Sequence, residues 1–219
     1  MKITFEQIKN NETIQTYIKK ADESLIALGY TEHSFLHVTR VAKVASDILL
    51  TLGYSEREAE LAQIAGYLHD IGNIVNRIDH AQSGAVMAFR ILDNMGADPK
   101  DIATIITAIG NHDESTAFPV NPIAAALILG DKTDVRYTRV RNQDIASFDI
   151  HDRVNYSVKE SRVEIVKDSH IGLNIKIDTS ICAVMDYFEI FLNRMILCRK
   201  AAEKLGTEFW LVINGQRVI

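Results

Sequence analysis

Histidine and aspartate residues near the ends of predicted helices are the residues of this 219-residue chain with the clearest chemical potential. Imidazole nitrogens and carboxylate oxygens together suit divalent transition metals. Such an ion could activate water and stabilise the negative charge that develops on a phosphoryl group. The candidate metal ligands are His37, His69, Asp70, His80, His112 and Asp131.

The helices that carry these residues follow from the hydrophobic pattern. Apolar residues recur three and four positions apart up to about residue 142, and capping residues, glycines and prolines separate the segments. The predicted helices run from about Phe5 to Leu28, from Phe35 to Leu52, from a capping box at Ser55 and Glu58 to His69, from Asp79 with its partner Gln82 to Gly96, from Asp98-Pro99 to about His112, and onward from Asn121-Pro122.

Alternation of these helices brings four histidines to one end of the array. Short connections make successive helices antiparallel neighbours. His37, near the start of the second helix, then lies level with His69 at the end of the third. His80 begins the fourth helix and His112 ends the fifth, so both return to the same level. With Asp70 beside His69, the set could hold one or two ions.

Structural roles without a metal are also open for these residues. His69 and His112 could interact only with the carbonyl groups and the dipole of their helix C-termini. Asp131 lies at the end of the apolar stretch 124–130, where an unpaired buried carboxylate would cost several kcal/mol. A metal, an arginine or a lysine would each serve as its partner. His33 is a second candidate for the first ligand.

The order and flanks of these residues resemble the HD-domain metal-dependent phosphohydrolase superfamily. The resemblance covers roughly residues 30 to 142 and rests on His37 in HVTRVAKVA, His69 and Asp70 in YLHDIGN, and Asp131 in ALILGDKTD. The sequences DHAQSGA and GNHDE, with His80 and His112, resemble the subset that binds two metals, such as diadenosine-tetraphosphate hydrolases and HD-GYP phosphodiesterases.

The resemblance implies a divalent transition metal, as one or two ions, with Asp70 bridging. Iron or manganese is expected, and magnesium, zinc, nickel and cobalt are alternatives. Asn73 stands where many binuclear members carry lysine, and no GYP follows, which disfavours a cyclic-dinucleotide phosphodiesterase. The first ion would be held by His37, His69, Asp70 and Asp131, and the second by His80 and His112 with Asp70.

Cationic residues near the candidate ligands could bind substrate phosphate. Lys132, Arg136 and Arg139 are spaced by four and three residues, which predicts one face of a helix. A solvated face is the alternative for such a stripe. Asp113, Glu114 or a metal-bound water could protonate the leaving group. The candidate catalytic residues are Asp70, His80 and Lys132, and the candidate phosphate ligands are Arg40, Arg77, Arg136 and Arg139.

The expected reaction is hydrolysis of a phosphomonoester or phosphoric anhydride in a nucleotide or another phosphorylated small molecule. A di-iron oxygenase of the HD type could use the same ligands. A regulatory or binding module that a metal stabilises is a third hypothesis. The fold does not choose the substrate.

Composition narrows the partners and the location. A net charge of -5 disfavours bulk binding to nucleic acid or to an anionic membrane. No apolar run approaches the ~18 residues of a membrane span, and the polar N-terminus lacks the apolar core of a signal peptide, so a cytoplasmic protein is expected. Cys182 and Cys198 fall in one predicted helix, too far apart to form a disulfide.

A different pattern begins near residue 147, where apolar residues alternate with polar ones and predict strands. A long helix from Thr179 to Gly206 follows the second strand. The expected fold is therefore mainly α, with an HD-domain helical array at 1–145 and a small C-terminal α+β unit at 146–219. Phe188, Phe191, Met195 and Trp210 of this unit could cover the site, form a homodimer contact or pack in the core. The strands are marked by Val154, Tyr156 and Val158, by Leu173, Ile175 and Ile177, and by Phe209, Leu211 and Ile213.

Overall fold

The chain folds into a helical array followed by a small α+β unit, which confirms the predicted fold class. A computed structural model describes residues 1–219. The helices are α1 (Phe5–Lys9), α2 (Glu12–Ala27), α3 (Phe35–Leu52), α4 (Glu56–Leu68), α5 (His80–Asn94), α6 (Pro99–Gly110), α7 (Pro122–Lys132), α8 (Ile150–Ser157) and α9 (Val184–Lys204), and the strands are β1 (Val158–Val166), β2 (His170–Ile177), β3 (Glu208–Ile213) and β4 (Gln216–Arg217).

The first predicted helix is divided into two. The Asn11 side chain accepts a hydrogen bond from the backbone N–H of Ile14 and so begins α2, which separates it from α1. The single segment predicted from Phe5 to Leu28 is therefore wrong. The capping box of Ser55 and Glu58 at the start of α4 is confirmed, with both reciprocal hydrogen bonds formed.

The turn after α4 packs directly onto the start of α5. Asp79 has a φ of 57°, and its side chain makes no capping bond, so the predicted capping pair with Gln82 is wrong. A Cβ built on Gly72 would lie 2.0 Å from the carbonyl oxygen of His80. Only glycine allows this approach, which brings the turn that follows Asp70 against His80.

Helix α7 crosses α3 at similarly close range. A Cβ built on Gly130 would lie 2.9 Å from the carbonyl oxygen of Val41, one turn after His37. Asp131 is the next residue and lies in the last turn of α7. The close crossing therefore explains how an aspartate far along its helix reaches the histidine end of the array.

The first predicted strand of the C-terminal unit is mostly a helix. Val154 and Tyr156 lie in α8, and β1 begins at Val158. The Asp149 side chain accepts a hydrogen bond from the backbone N–H of Asp152 and caps α8. Val154 and Val158 are buried four residues apart while Tyr156 is half-buried, so the burial follows a helical period into the strand.

Helix α9 is shorter than predicted and separates the two cysteines. It begins at Val184 rather than near Thr179, because hydrogen bonds to Asp178 hold the preceding residues in a turn. Cys182 therefore precedes the helix that contains Cys198, and the prediction that one helix holds both is wrong. Both are free thiols.

The four strands form one sheet in the order β1-β2-β3-β4. β1 with β2 and β3 with β4 are antiparallel, whereas β2 and β3 are parallel, with α9 as the crossover between them. The strands predicted around Leu173 and Leu211 are confirmed, and these two residues lie opposite each other. Because α9 also packs against α7, the buried core continues from the array into the C-terminal unit. None of the helices is both long and apolar enough to span a bilayer.

Replacement of Gly72 tests the contact between the turn and α5. We expect Gly72→Ala to lower the free energy of unfolding by about 3 kcal/mol, because the new Cβ would overlap backbone atoms of α5. Gly110→Ala is the matched control, since its Cβ would lie 3.7 Å from the Cβ of Ala85, an ordinary contact. Urea denaturation measures both variants, and wild-type stability of Gly72→Ala would contradict the contact.

Candidate metal centre

Asp70 lies at the centre of the candidate site, and its two carboxylate oxygens face different histidines. Oδ2 is 3.6 Å from Nε2 of His37 and 3.3 Å from Nε2 of His69. Oδ1 is 3.5 Å from Nε2 of His80 and 4.0 Å from Nε2 of His112. The structure thus brings together the four histidines that helix alternation places at one end, as two pairs around one carboxylate.

Three of these rings are held by the same kind of backbone hydrogen bond. The Nδ1 atoms of His69, His80 and His112 lie 2.8, 3.0 and 2.6 Å from the carbonyl oxygen of the residue three positions earlier. Because a carbonyl oxygen only accepts, Nδ1 carries the proton in each neutral ring. Each Nε2 atom then presents its lone pair toward Asp70, as a metal ligand requires.

His37 is oriented by a buried carboxylate. Its Nδ1 donates to Oδ2 of Asp134 at 2.8 Å, while Arg136 and Arg40 reach Oδ1 of Asp134 at 2.6 and 3.1 Å. Burial alone would raise the pKa of Asp134, but hydrogen bonds from His37 and Arg136 hold that pKa well below its usual range. A carboxylate behind a histidine is the usual way to fix the ring of a metal ligand and raise its basicity.

Asp131 faces the histidines with one oxygen and a lysine with the other. Oδ1 is 3.5 Å from Nε2 of His37 and 3.8 Å from Nε2 of His69. Oδ2 is 2.7 Å from Nζ of Lys132, which is itself buried. Asp131 therefore does have a lysine partner, the alternative to a metal. Lys132 contacts only Oδ2, however, and Oδ1 still faces the histidines.

The donor atoms of the cluster fit a bound cation. Nε2 of His37 and Nε2 of His69 are buried without a hydrogen-bond partner, a costly state that a metal ion would relieve. The Nε2 atoms of His80 and His112 face each other at 3.3 Å, where two lone pairs repel unless a proton or a cation lies between them. Three groups have ligand atoms within 4.8 Å of one another: His37, His69 and Asp70; His69, His112 and Asp131; and Asp70, His80 and His112.

Burial and neighbouring charges set the protonation states of the cluster. Burial, with His69 and Lys132 nearby, lowers the pKa of His112 to about 3, so this ring is neutral at pH 7. Burial alone would raise the pKa of Asp70, but His69 beside it holds that pKa well below its usual range. Burial opposes a proton on His69, yet Asp70 raises the pKa of that ring. A bound cation would compete with this proton.

A polar cavity of about 600 Å³ opens onto the cluster. Its wall includes Asp70, His80 and residues from both C-terminal helices, among them Asn155 of α8 and Phe191 of α9. Three of its 21 lining residues are hydrophobic, which suits a polar ligand. The volume lies within the ~300–1,000 Å³ of small-molecule sites. The C-terminal unit thus forms part of the cavity wall. Of its four residues considered for this role, Phe191 lines the cavity, whereas Met195 packs in the core.

Two of the predicted phosphate ligands line this cavity. Arg77 does so with its guanidinium carbon 5.4 Å from the centre of the Tyr30 ring. Arg139 is also in the wall, but its Nε and Nη1 atoms donate to backbone carbonyl oxygens of Glu32 and Asp134 at 2.9 Å. These two arginines therefore differ in how much of the guanidinium is left for a ligand.

Arg40 and Arg136 lie outside the cavity wall and pair with Asp134. The prediction that Lys132, Arg136 and Arg139 share one helix face is wrong, because α7 ends at Lys132. Arg136 follows the helix in an extended conformation, and Arg139 lies in a short 3-10 turn. Of the four predicted phosphate ligands, the structure places Arg77 and Arg139 beside the candidate metal ligands.

The remaining candidates from the sequence also surround the cavity. His33 lies in its wall, with Nδ1 2.6 Å from the carbonyl oxygen of Thr31. Asp113 has Oδ1 3.9 Å from Nε2 of His80. Glu114 has Oε1 3.7 Å from Nζ of Lys132. His33 faces a backbone oxygen through Nδ1, whereas the two acids lie near residues predicted to be catalytic.

Sequence reasoning missed Asp134 and Arg194. Asp134 is a second buried aspartate three residues after Asp131, and this repetition is the signal that could have identified it. Arg194 lines the cavity from α9, three residues after Phe191. A cation on the apolar side of an amphipathic helix is the available signal there. Asn73 departs from the family pattern, and its Nδ2 donates to Oδ1 of Asp70 at 2.9 Å.

Comparisons with known proteins match the part of the chain that carries this cluster. The HD domain family model matches residues 34–190. An uncharacterized protein of Methanocaldococcus jannaschii is 25% identical over 199 residues, which cover 80% of this chain and 76% of that protein. Ribonuclease Y of Mesoplasma florum is 29% identical over 120 residues, which cover 55% of this chain and 22% of that protein. A crystal structure of a predicted HD superfamily hydrolase from an uncultured Thermotogales bacterium is 25% identical, covers 60% of this chain and 73% of that chain, and has a TM-score of 0.45.

Replacement of Asp134 tests the orientation of His37. Asp134→Asn keeps the size of the side chain but removes the charge that holds the ring, so we expect the affinity for Mn²⁺ to fall about 10- to 100-fold. Titration calorimetry measures this affinity. Asp47→Asn is the control, since Asp47 is a half-buried aspartate on α3, the helix of His37, and pairs with Lys43 away from the cluster. Equal affinities of Asp134→Asn and wild type would contradict the orienting role.

Proposed function

Because this chain belongs to the HD domain family, we propose that it is a metal-dependent phosphohydrolase that acts on a nucleotide or another phosphorylated small molecule. One observation carries the proposal: four imidazoles present their Nε2 atoms to a shared carboxylate, Asp70, in the wall of a polar cavity. Imidazole and carboxylate ligands around a cavity of this kind are typical of metal-assisted hydrolysis.

The pairing of the histidines supports two ions. The Oδ2 side of Asp70 would hold one ion with His37 and His69, and the Oδ1 side would hold another with His80 and His112. Asp131 would join the first ion, because its Oδ1 atom faces His37 and His69. The mixture of nitrogen and oxygen donors favours a transition metal such as Fe²⁺ or Mn²⁺ over Mg²⁺, which prefers oxygen ligands. When bound, such metals would supply an activated water and Lewis acidity toward a phosphoryl oxygen.

The chain's own residues position the ligands and the substrate. Asn73 donates to Oδ1 of Asp70 and fixes the plane of that carboxylate. Lys132 is held between Asp131 and Glu114, where its ammonium can stabilise negative charge on a bound phosphate. Arg77 lies in the wall beside His80 and is a second cation for the substrate.

The cavity also supports a small substrate rather than a nucleic acid. Its volume of about 600 Å³ suits a nucleotide-sized molecule, and the chain carries a net charge of -5. The segment of ribonuclease Y that matches this chain covers 22% of that protein. A short RNA belongs in the assay as the competing substrate class.

Metal content of two variants tests the two-ion arrangement. We expect Asp70→Ala to lose both ions, because this carboxylate faces both histidine pairs, and His80→Ala to lose one. His151→Ala is the control, since this histidine lines the cavity but is exposed and belongs to none of the ligand groups. Elemental analysis counts the metal per chain. Loss of both ions or of none in His80→Ala would contradict the two-ion arrangement.

An activity panel tests the hydrolase itself. We expect Mn²⁺- or Fe²⁺-loaded protein to hydrolyse at least one nucleotide or phosphate ester, seen as free phosphate or as a shortened nucleotide, whether oxygen is present or excluded. Asp70→Asn should lower kcat/KM by about a thousandfold, because metal assistance contributes several kcal/mol to such reactions. Hydrolysis of none of the substrates would refute the proposal. Turnover only with oxygen would indicate the oxygenase, and cleavage of RNA alone would change the substrate class.

A further inference from the structure

Arg194 brings a cation from the C-terminal unit to the metal cluster. It lies on α9 and lines the same cavity as Asp70, His80, His112 and Asp131. Its side chain is 23% exposed, so the guanidinium is largely withdrawn from bulk solvent. A charged group in such a place needs a compensating partner. The protein supplies hydrogen-bond partners to only some of the N–H groups of the Arg194 guanidinium.

The guanidinium of Arg194 is fixed along one edge and open along the other. Nε donates to Oε1 of Glu114 at 2.7 Å. The guanidinium carbon lies 4.4 Å from the centre of the Phe191 ring, which supports the plane from the same helix. Neither terminal amino group has a hydrogen-bond partner in the protein, and neither is sealed away from solvent. Two parallel N–H donors are thus available at the cavity.

The other buried arginines near the cluster differ in this respect. Arg136 binds both oxygens of Asp134 and also reaches Glu32. Arg139 uses Nε and Nη1 on backbone carbonyl oxygens. These two guanidinium groups hold the polypeptide together. Arg194 is also largely buried, but unlike them it has two amino groups without a hydrogen-bond partner. Free donors of this kind are expected of an arginine that binds a ligand.

The charged neighbours of Arg194 also leave room for an anionic ligand. Glu114 is shared, because it lies 2.7 Å from Nε of Arg194 and 3.7 Å from Nζ of Lys132. Lys132 also lies 2.7 Å from Asp131, a carboxylate that a bound metal would use. With that carboxylate engaged, one glutamate would serve two buried cations. A phosphate beside Arg194 would supply a second partner at this point of the wall.

We propose that Arg194 binds the phosphate of the substrate, so that the C-terminal α+β unit supplies part of the active site. This assignment rests on the proposed function for the identity of the ligand and deepens it. A guanidinium recognises a phosphoryl group through two parallel N–H···O hydrogen bonds, which matches the two open amino groups of Arg194. The family resemblance, which covers roughly residues 30 to 142, does not include this residue.

Binding of inorganic phosphate to the Mn²⁺-loaded full chain tests the assignment without turnover. Titration calorimetry should show at least about tenfold weaker phosphate binding to Arg194→Gln than to wild type, because charge-assisted hydrogen bonds are lost. Arg194→Lys keeps the charge but not the paired donors and should be intermediate. Arg199→Gln is the matched control, since Arg199 is exposed on the same helix. Metal content and melting temperature should be those of wild type in all three.

The outcomes separate this assignment from the hydrolase proposal. Wild-type phosphate affinity in Arg194→Gln would overturn the assignment, as would an equal loss in Arg199→Gln or no phosphate binding by wild type. If Arg194→Gln fails to fold, unchanged affinity in Arg194→Lys overturns it instead. A chain that binds phosphate through Arg194 but hydrolyses nothing in the panel would keep the anion site and refute the hydrolase. If the chain hydrolyses a substrate but its phosphate affinity does not depend on Arg194, the hydrolase proposal stands and the assignment of Arg194 is refuted.

Discussion

The hydrogen bonds at the Nδ1 atoms of the four histidines are the constraint on which the rest of this site depends. His69, His80 and His112 each donate to the carbonyl oxygen three residues earlier, and His37 donates to Asp134. An imidazole with its proton fixed on Nδ1 presents a lone pair at Nε2. Helix ends that converge would not suffice, because rings free to rotate would not direct four lone pairs at one carboxylate.

Local sequence signals predicted most of the array, because helix ends and connection lengths are set by nearby residues. Capping at Ser55 and prolines after Asp98 and Asn121 fixed where helices begin, and alternation then placed the four histidines together. The predicted elements are wrong where a capping side chain inside the periodic stretch starts a new helix. Asn11 began a new helix inside a periodic stretch, and the cap at Asp149 converted an apparent strand into α8.

The surroundings of the cluster were less predictable, because they depend on contacts between distant parts of the chain. The spacing of Arg136 predicts a helix face, whereas α7 ends at Lys132 and Arg136 pairs with Asp134. Arg194 reaches the cavity because α9 packs on α7 as the crossover of a sheet far along the chain. Periodicity could show that α9 is amphipathic, but not which neighbour its charged residue would meet.

Anomalous diffraction from crystals of the Mn²⁺-loaded protein locates each bound ion against named atoms, and so tests whether Asp70 lies between two metal sites. We expect two manganese peaks, one beside Oδ2 of Asp70 near His37 and His69, and one beside Oδ1 near His80 and His112. Peaks away from Asp70, or crystals of loaded protein with no manganese between the two histidine pairs, would contradict it.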